Sequence, residues 1–325
     1  MQVLVTGGTG FIGIHLVAAL VARGWRVRCL VRETSNRRPL STHAVEYVVG
    51  SLQDQTALHQ AVQGAELIFH LAGATKVRVP DDYDRINYGG TQKLLEACAE
   101  AGTTLRKFIY TSSIAAAGPS PSGAAVTESD PPHPVGPYGR SKLRAEQAIL
   151  AVKAQLPVII LRPSAIYGPY DTDFLRLFRA VKRGLLPYIG GQELHIDVCY
   201  VDDLIRGMLA AAESRESSGE VFFLGGGCYT WGQLGAEIAR HVGTRPRAIR
   251  LPRSLVLAAA SVADGWARLS ARPSVLSRAN LLERLQPYWV YDSSKAREAF
   301  GYVPEVTLAQ GIAQTLRWYR DVQWL

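Results

Sequence analysis

Apolar residues fall in short runs separated by stretches of helical spacing through the first half of the chain. Residues 2–6, 26–31, 45–49, 66–70, 106–111 and 157–162 each hold a compact run dominated by Val, Ile, Leu and Phe. Such runs suit strands buried on both faces of a parallel sheet. Between them apolar positions recur at helical intervals, as with Phe11, Ile12, Ile14, Leu16, Val17 and Leu20. This alternation predicts an α/β fold with a doubly wound parallel sheet, right-handed crossovers and a binding edge at the carboxyl ends of the strands. After Pro163 the rhythm breaks. Turns at Gly168-Pro169 and Gly190-Gly191 mark excursions, Glu220–Leu224 reads as a strand that rejoins the sheet, and helices are predicted near 231–242, 253–269 and 307–321. The implied division is a unit over 1–166, to which a segment near 196–226 returns, and a smaller lobe from 167–195 and 227–325.

The first strand runs directly into Thr-Gly-Gly-Thr-Gly-Phe-Ile-Gly. Gly7 and Gly8 allow a tight turn, Gly10 lets backbone approach a pyrophosphate, and Gly13 lets the following helix pack close. The helix start offers free amides and a positive dipole end to phosphate. Strand, glycine turn and helix together predict a Rossmann-type dinucleotide site over 1–166, with Phe11 and Ile12 beside the glycines. An NAD-preferring site places Asp or Glu at the end of the second strand for the ribose 2′-hydroxyl. Here that place is Arg32, with Arg37 and Arg38 close behind. A guanidinium suits a 2′-phosphate, so NADP(H) is expected over NAD(H).

The chemistry is carried further along. Residues 108–111 deliver Ser112 and Ser113 at a strand end, and Tyr138 and Lys142 stand four apart at the start of a helical stretch. Positions i and i+4 share one helix face. A Tyr is a poor base at neutral pH; a neighbouring ammonium is expected to lower the Tyr138 pKa toward a useful range. Ser113 is placed to hydrogen-bond an oxygen on which charge develops.

With these residues in view the chain resembles the extended short-chain dehydrogenase/reductases, the NAD-dependent epimerase/dehydratase superfamily. The resemblance rests on Thr6 to Gly13, His70-Leu71-Ala72-Gly73, Asn87 with Gly90-Thr91, Tyr110-Thr111-Ser112-Ser113, Tyr138 with Lys142, Leu161-Arg162-Pro163, Tyr167-Gly168-Pro169 and Tyr200-Val201-Asp202-Asp203. It implies that Tyr138 is the general acid/base, that Lys142 holds the nicotinamide ribose and tunes Tyr138, and that Ser113, rather than Ser112, positions the reacting oxygen. It extends the expected cofactor contacts to Leu52, Leu71, Ala72, Gly73, Thr111 and Pro163. Thr75, Ala165, Tyr167 and Tyr188 are pocket candidates from position.

The motifs are most similar to the 3β-hydroxysteroid dehydrogenase and dihydroflavonol reductase branch. Nucleotide-sugar members usually carry an Arg where this chain has Ile196, and an Arg-Pro-Gly-Asp run where it has Leu285-Gln286-Pro287-Tyr288-Trp289. An apolar Ile196 cannot grip a diphosphate, although Arg250, Arg253 or Arg284 could reach one from elsewhere. The expected activity is therefore an NADP(H)-dependent oxidoreductase that interconverts a secondary alcohol and a ketone on a hydrophobic small molecule. A nucleotide-sugar epimerase or dehydratase with tightly held NAD is the first alternative, and a non-catalytic NADP(H) sensor the second.

Composition narrows this further. The chain has 325 residues, 47% of them hydrophobic, and a net charge of +8. That charge suits anionic cofactors and surfaces, but no basic run alternates with aromatics and no nucleic-acid-binding signature appears. Cys29, Cys98, Cys199 and Cys228 are scattered without a Cys-x-x-Cys pair, which predicts reduced thiols in a cytoplasmic protein. No His, Cys or carboxylate spacing suggests a metal. The chain opens on a strand, so no signal peptide is expected. No apolar stretch reaches the ~20 residues of a membrane span. Leu255 to Val262 is the nearest approach, read as a core or substrate-lining helix in preference to a membrane contact. Helix-paired dimers are common in the superfamily, so a homodimer is the assembly to consider.

Overall fold

A computed structural model of the chain describes all residues except 103–104, 191, 259, 262–280, 282 and 284. Seven parallel strands form the central sheet in the order β3-β2-β1-β4-β5-β6-β10. They are β1 (Gln2–Thr6), β2 (Arg26–Val31), β3 (Val45–Val49), β4 (Leu67–His70), β5 (Lys107–Thr111), β6 (Val158–Pro163) and β10 (Glu220–Leu224). The strand order reverses between β1 and β4, which leaves a crevice at their carboxyl ends where open α/β sheets bind ligands. β1, β4 and β5 are buried along their whole length, as their unbroken apolar runs require.

Helices cover both faces. α1 (Phe11–Ala22) and α8 (Val201–Glu213) pack on one side, where Leu16, Val17, Leu20, Leu204 and Met208 join the larger core. α2 (Gln55–Val62), α4 (Gly89–Glu100) and α6 (Pro137–Ala151) cover the other, with Leu58, Leu94, Ala145 and Ile149 buried. Two short helices, α3 (Asp81–Tyr83) and α5 (Ile114–Ala117), lie in the loops above the sheet.

The chain leaves the sheet at Ser164. β7 (Ala165–Tyr167) pairs with β9 (His195–Tyr200), which also pairs with β11 (Cys228–Thr230) and β13 (Tyr288–Trp289) in a small separate sheet. β8 (Leu185–Ile189) and β12 (Arg247–Leu251) form a parallel pair of their own. The return to the main body begins at α8, and β10 then adds to β6; His195–Tyr200 stays with the small sheet. α7 (Phe174–Lys182), α9 (Trp231–Val242) and α11 (Leu308–Asp321) complete the lobe, and α10 (Ser294–Phe300) packs against β10 of the main sheet. The helix read from sequence near 253–269 is described for 253–258 and 260–261; the rest of it, with Arg284 and Gly191, lies outside the described residues. Cys29, Cys98 and Cys199 are buried, whereas Cys228 is exposed at the edge of the small sheet.

Candidate active site

The turn after β1 is shaped by close backbone contact. Gly7 has φ 76°, and a Cβ placed there would lie 2.7 Å from the Ala72 amide nitrogen. A Cβ on Gly13 would come 2.2 Å from the Gly7 carbonyl oxygen. α1 begins immediately beyond, with Gly10 at its cap, no side-chain cap and no acid in its first turn. Its first amides therefore point outward without intrahelical partners, a setting that favours an anion. Gly7, Gly10, Phe11, Ile12 and Gly13 line a cleft of about 520 Å³, opposite Leu71, Gly73 and Thr75. Thr111, Ser113, Tyr138, Lys142, Pro163 and Ala165 line its far end. The buried Thr111 hydroxyl in that wall has no hydrogen-bond partner among the described residues. A glycine cradle, an uncapped helix start and an orphaned hydroxyl together fit a dinucleotide.

β5 and α6 bring the reactive side chains to this far end. Ser113 caps α5, its hydroxyl oxygen accepting from the Ala115 amide at 3.1 Å. It also lies within hydrogen-bonding reach of the Tyr138 phenol and draws that group's pKa down. Burial acts in the opposite direction and prevails, so Tyr138 stays above the ordinary range, with Glu283 and Tyr83 adding smaller upward pushes. Lys142 is 4% exposed. Its Nζ donates to the Thr111 carbonyl at 2.6 Å and lies 4.3 Å from the centre of the Tyr110 ring. Burial brings its pKa down to about 7, against an upward pull from Glu146. Ser112 also lines the cleft, and its hydroxyl donates to Glu146. Glu146 in turn accepts two bonds from the buried Arg162 guanidinium, at 3.0 and 2.7 Å.

A second cavity, of about 530 Å³, adjoins the first. Ser113, Tyr138, Ser164, Ala165, Asp173 and Phe174 belong to the walls of both. Ile114, Leu177, Ile196, Trp231, Trp289 and Tyr188 give the second cavity an apolar lining. The Tyr138 phenol thus stands where a phosphate-compatible cleft meets an apolar chamber, and such a phenol can pass a proton to a substrate oxygen.

Residues 3–225 match the NAD dependent epimerase/dehydratase family. The chain belongs to this family. It is 34% identical to the ceramide reductase of Caulobacter vibrioides, over 99% of this chain and 96% of that one. It is 30% identical to a 4-hydroxy-2-methyl-3-oxo-4-farnesyl-3,4-dihydroquinoline-1-oxide ketoreductase of Stigmatella aurantiaca, over 96% and 95%. The crystal structure of a dTDP-glucose 4,6-dehydratase from Streptomyces venezuelae with NAD bound superposes with a TM-score of 0.81 at 27% identity, covering 100% of this chain and 98% of that one. The chain is accordingly an NAD(P)-dependent oxidoreductase of the extended short-chain dehydrogenase/reductase type, acting on CH–OH and C=O groups. Among its described residues no helix is long and apolar enough to cross a membrane.

Within this epimerase/dehydratase frame several sequence-based placements change. The Tyr138 pKa is raised by burial and not lowered as expected, and the Lys142 ammonium donates to the Thr111 carbonyl and lies over the Tyr110 ring. Tyr167 does not reach either cavity: it is 3% exposed, packed between Phe174 and Tyr200 in the core. Leu52 is buried against Gly90 and does not line the cleft. Ala72 supports the glycine turn from behind, its amide donating to the Thr6 hydroxyl at 3.2 Å. Arg32 is exposed just beyond β2, at the position expected of it, in a turn closed by Ser35. Thr75, Ala165 and Tyr188 do line cavities. The sequence reading missed Trp231, Trp289, Phe174 and Glu283, which come from helix ends and a two-residue strand with no periodic signal. The one signal was a dense local run of aromatics near Tyr288-Trp289.

Proposed function

We propose that this enzyme is an NADP(H)-dependent ketone reductase and alcohol dehydrogenase for a hydrophobic small molecule. The observation that carries the reading is the shared wall at Ser113 and Tyr138, with an apolar chamber on the substrate side. Ile196 forms part of that chamber, and an aliphatic side chain there favours a neutral substrate over a diphosphate. The named activities of the ceramide reductase and the farnesyl-quinoline ketoreductase relatives support the same class. Residues 1–166 with the return through α8 and β10 serve the dinucleotide, and 167–195 with 227–325 serve the substrate.

The dinucleotide, when bound, supplies or takes the hydride. Ser113 holds the substrate oxygen, and Tyr138 gives that oxygen its proton. Burial keeps the phenol neutral, so it is ready to donate to a developing alkoxide; reduction is the direction that needs no prior deprotonation. Lys142 steadies the cleft floor through Thr111 and contributes positive charge in its protonated form. Arg32 accounts for a preference for NADP(H): it stands exposed beside the β2 end where an acid would select NAD(H).

Steady-state assay of NADPH oxidation with steroid, flavonoid and acyl-chain ketones tests the substrate class, and no turnover with any of them would reject it. Replacing Arg32 with Asp should lower the preference for NADPH over NADH by roughly ten- to a hundredfold; an unchanged ratio would remove Arg32 from the specificity argument. A nucleotide-sugar substrate has one observation in its favour, since Arg176 is the one cation lining the chamber among the described residues. Thermal stabilisation by UDP- or dTDP-sugars would support that reading instead.

A further inference from the structure

The lobe carries a surface that the chemistry above does not use. β8 has two roles: Pro187, Tyr188 and Ile189 line the apolar chamber, and the whole strand pairs with β12. Opposite Pro187 and Tyr188 in that pairing stand Ile249 and Arg250. Both are exposed, as are Arg245 and Arg247 just before them. The chain then enters a helical turn whose inner residues, Val256 and Ala260, pack with Leu281 and reach Ile189. Its outer residues, Arg253 and Leu255, face solvent.

Two properties set this edge apart. Large apolar side chains that are exposed number seven among the described residues, and three of them lie here: Leu185 at 40%, Ile249 at 37% and Leu255 at 59%. The two segments that form the edge also contain no acid of their own, the described acid beside β8 being Glu193, which acts on Tyr188. No Asp or Glu occurs between Asp173 and Glu193 or between Glu237 and Asp264, while Lys182, Arg183, Arg245, Arg247, Arg250 and Arg253 do. Elsewhere the surface alternates charge, as in the Arg85–Asp82, Arg144–Asp84 and Arg206–Glu305 pairs. No ion pair joins any of these six cations to an acid among the described residues. Exposed Leu and Ile beside unpaired Arg is the composition of a surface that enters the headgroup layer of an anionic bilayer, the arginines meeting lipid phosphates and the apolar side chains reaching below them. A nucleic acid would use the arginines but leave Leu185, Ile249 and Leu255 in water.

We propose that the β8–β12 edge, with the helical turn at 253–258, docks the enzyme on an anionic membrane surface and sets the apolar chamber beside the lipid. Resting on the hydrophobic-substrate reading, docking would let a poorly soluble ketone or alcohol pass from bilayer to chamber with little exposure to water. It also explains why cationic and apolar groups gather on the strand pair that includes the chamber wall.

The test is flotation of the full chain with vesicles, one set of phosphatidylcholine alone and one with about one-third phosphatidylglycerol. Binding is expected to the second set and not the first, and to fall at about 0.5 M salt as the charges are screened. Each surface arginine contributes roughly fivefold in partitioning, so Arg245→Gln/Arg247→Gln/Arg253→Gln should lower it by about a hundredfold. Leu255→Asp should lower it by roughly tenfold. Both variants lie on the outer surface and should keep the wild-type Tm and NADPH affinity, which certifies their fold. Failure of the wild-type chain to float, flotation that neither variant weakens, or tight salt-sensitive binding to duplex DNA with none to vesicles would each overturn the proposal. Flotation requires no turnover, so a negative result counts against docking alone. Absence of NADPH-dependent ketone reduction in detergent counts against the function reading alone.

Discussion

The two cavities that meet at Tyr138 are built in different ways. The nucleotide cleft is made mostly of backbone: Gly7 closes on Ala72, Gly13 closes on Gly7, and the first amides of α1 form the wall. The apolar chamber is made of side chains from scattered pieces, with Ile196 on β9, Trp231 at the start of α9, Trp289 on a two-residue strand and Tyr188 on β8. A backbone wall has no side chain that can yield, so one added methyl group must displace main chain. A side-chain wall can repack around a loss or a gain. The cleft is therefore expected to be rigid in its demands and the chamber open to change.

The sharpest way to break this contrast is a single methyl group. Gly13→Ala would put Cβ 2.2 Å from the Gly7 carbonyl and 2.7 Å from the Gly8 Cα. It should abolish measurable NADPH binding by calorimetry and lower stability by about 2–3 kcal/mol. Tyr138→Phe comes next, at the shared wall. It should lower kcat by roughly 10²–10⁴-fold while leaving the NADPH Kd within a fewfold of wild type. A Tyr138→Phe enzyme with near-normal kcat would separate the meeting of the two cavities from the chemistry. Ile196→Ala, in the chamber alone, should raise KM for a hydrophobic ketone by about three- to tenfold and leave kcat and cofactor affinity unchanged. If it instead cost as much as Gly13→Ala, the difference between the two walls would be wrong.

The same contrast explains how much could be read from the chain. The glycine spacing at 7, 10 and 13 is visible because each position forbids a side chain, and the apolar runs are visible because each strand is covered on both faces. Tyr138 and Lys142 are legible as a pair four apart on α6. Trp231, Trp289 and Phe174 are not, since their common property is a meeting in space produced by β7 leaving the main sheet to pair with β9. Tyr167 shows the converse. It lies between two chamber residues in sequence terms, yet the turn at Gly168 and the packing of Phe174 and Tyr200 place its ring in the core. Lys142 shows a related limit: spacing sets which face a side chain occupies, but not what its terminal atom bonds, and here that partner is the Thr111 carbonyl.

That lysine also shows where the rigid cleft carries a hidden cost. Burial holds the Lys142 pKa down at about 7, well below its ordinary value of about 10.4. Between those values the unfolded chain binds a proton that the folded chain does not, so stability rises with pH across the window. Below about pH 7 both states are protonated and the full cost of burying the ammonium is present; above the ordinary value it is gone. Lys142→Met removes the titrating group and keeps the aliphatic stem. Its loss of the bond to Thr111 is a cost that does not depend on pH, and Glu146 stays paired with Arg162 in both proteins. The difference in unfolding free energy should therefore shift toward the wild type as pH rises from 7 to 9.5, by at most about 1.4 kcal/mol per pH unit. Paired urea denaturation curves at several pH values measure it, the titrations common to both chains cancelling in the difference. A difference that is flat across the window, or that shifts toward the variant, would mean that Lys142 keeps its proton in the folded enzyme, and the cleft floor would then hold a permanent positive charge beside the phenol.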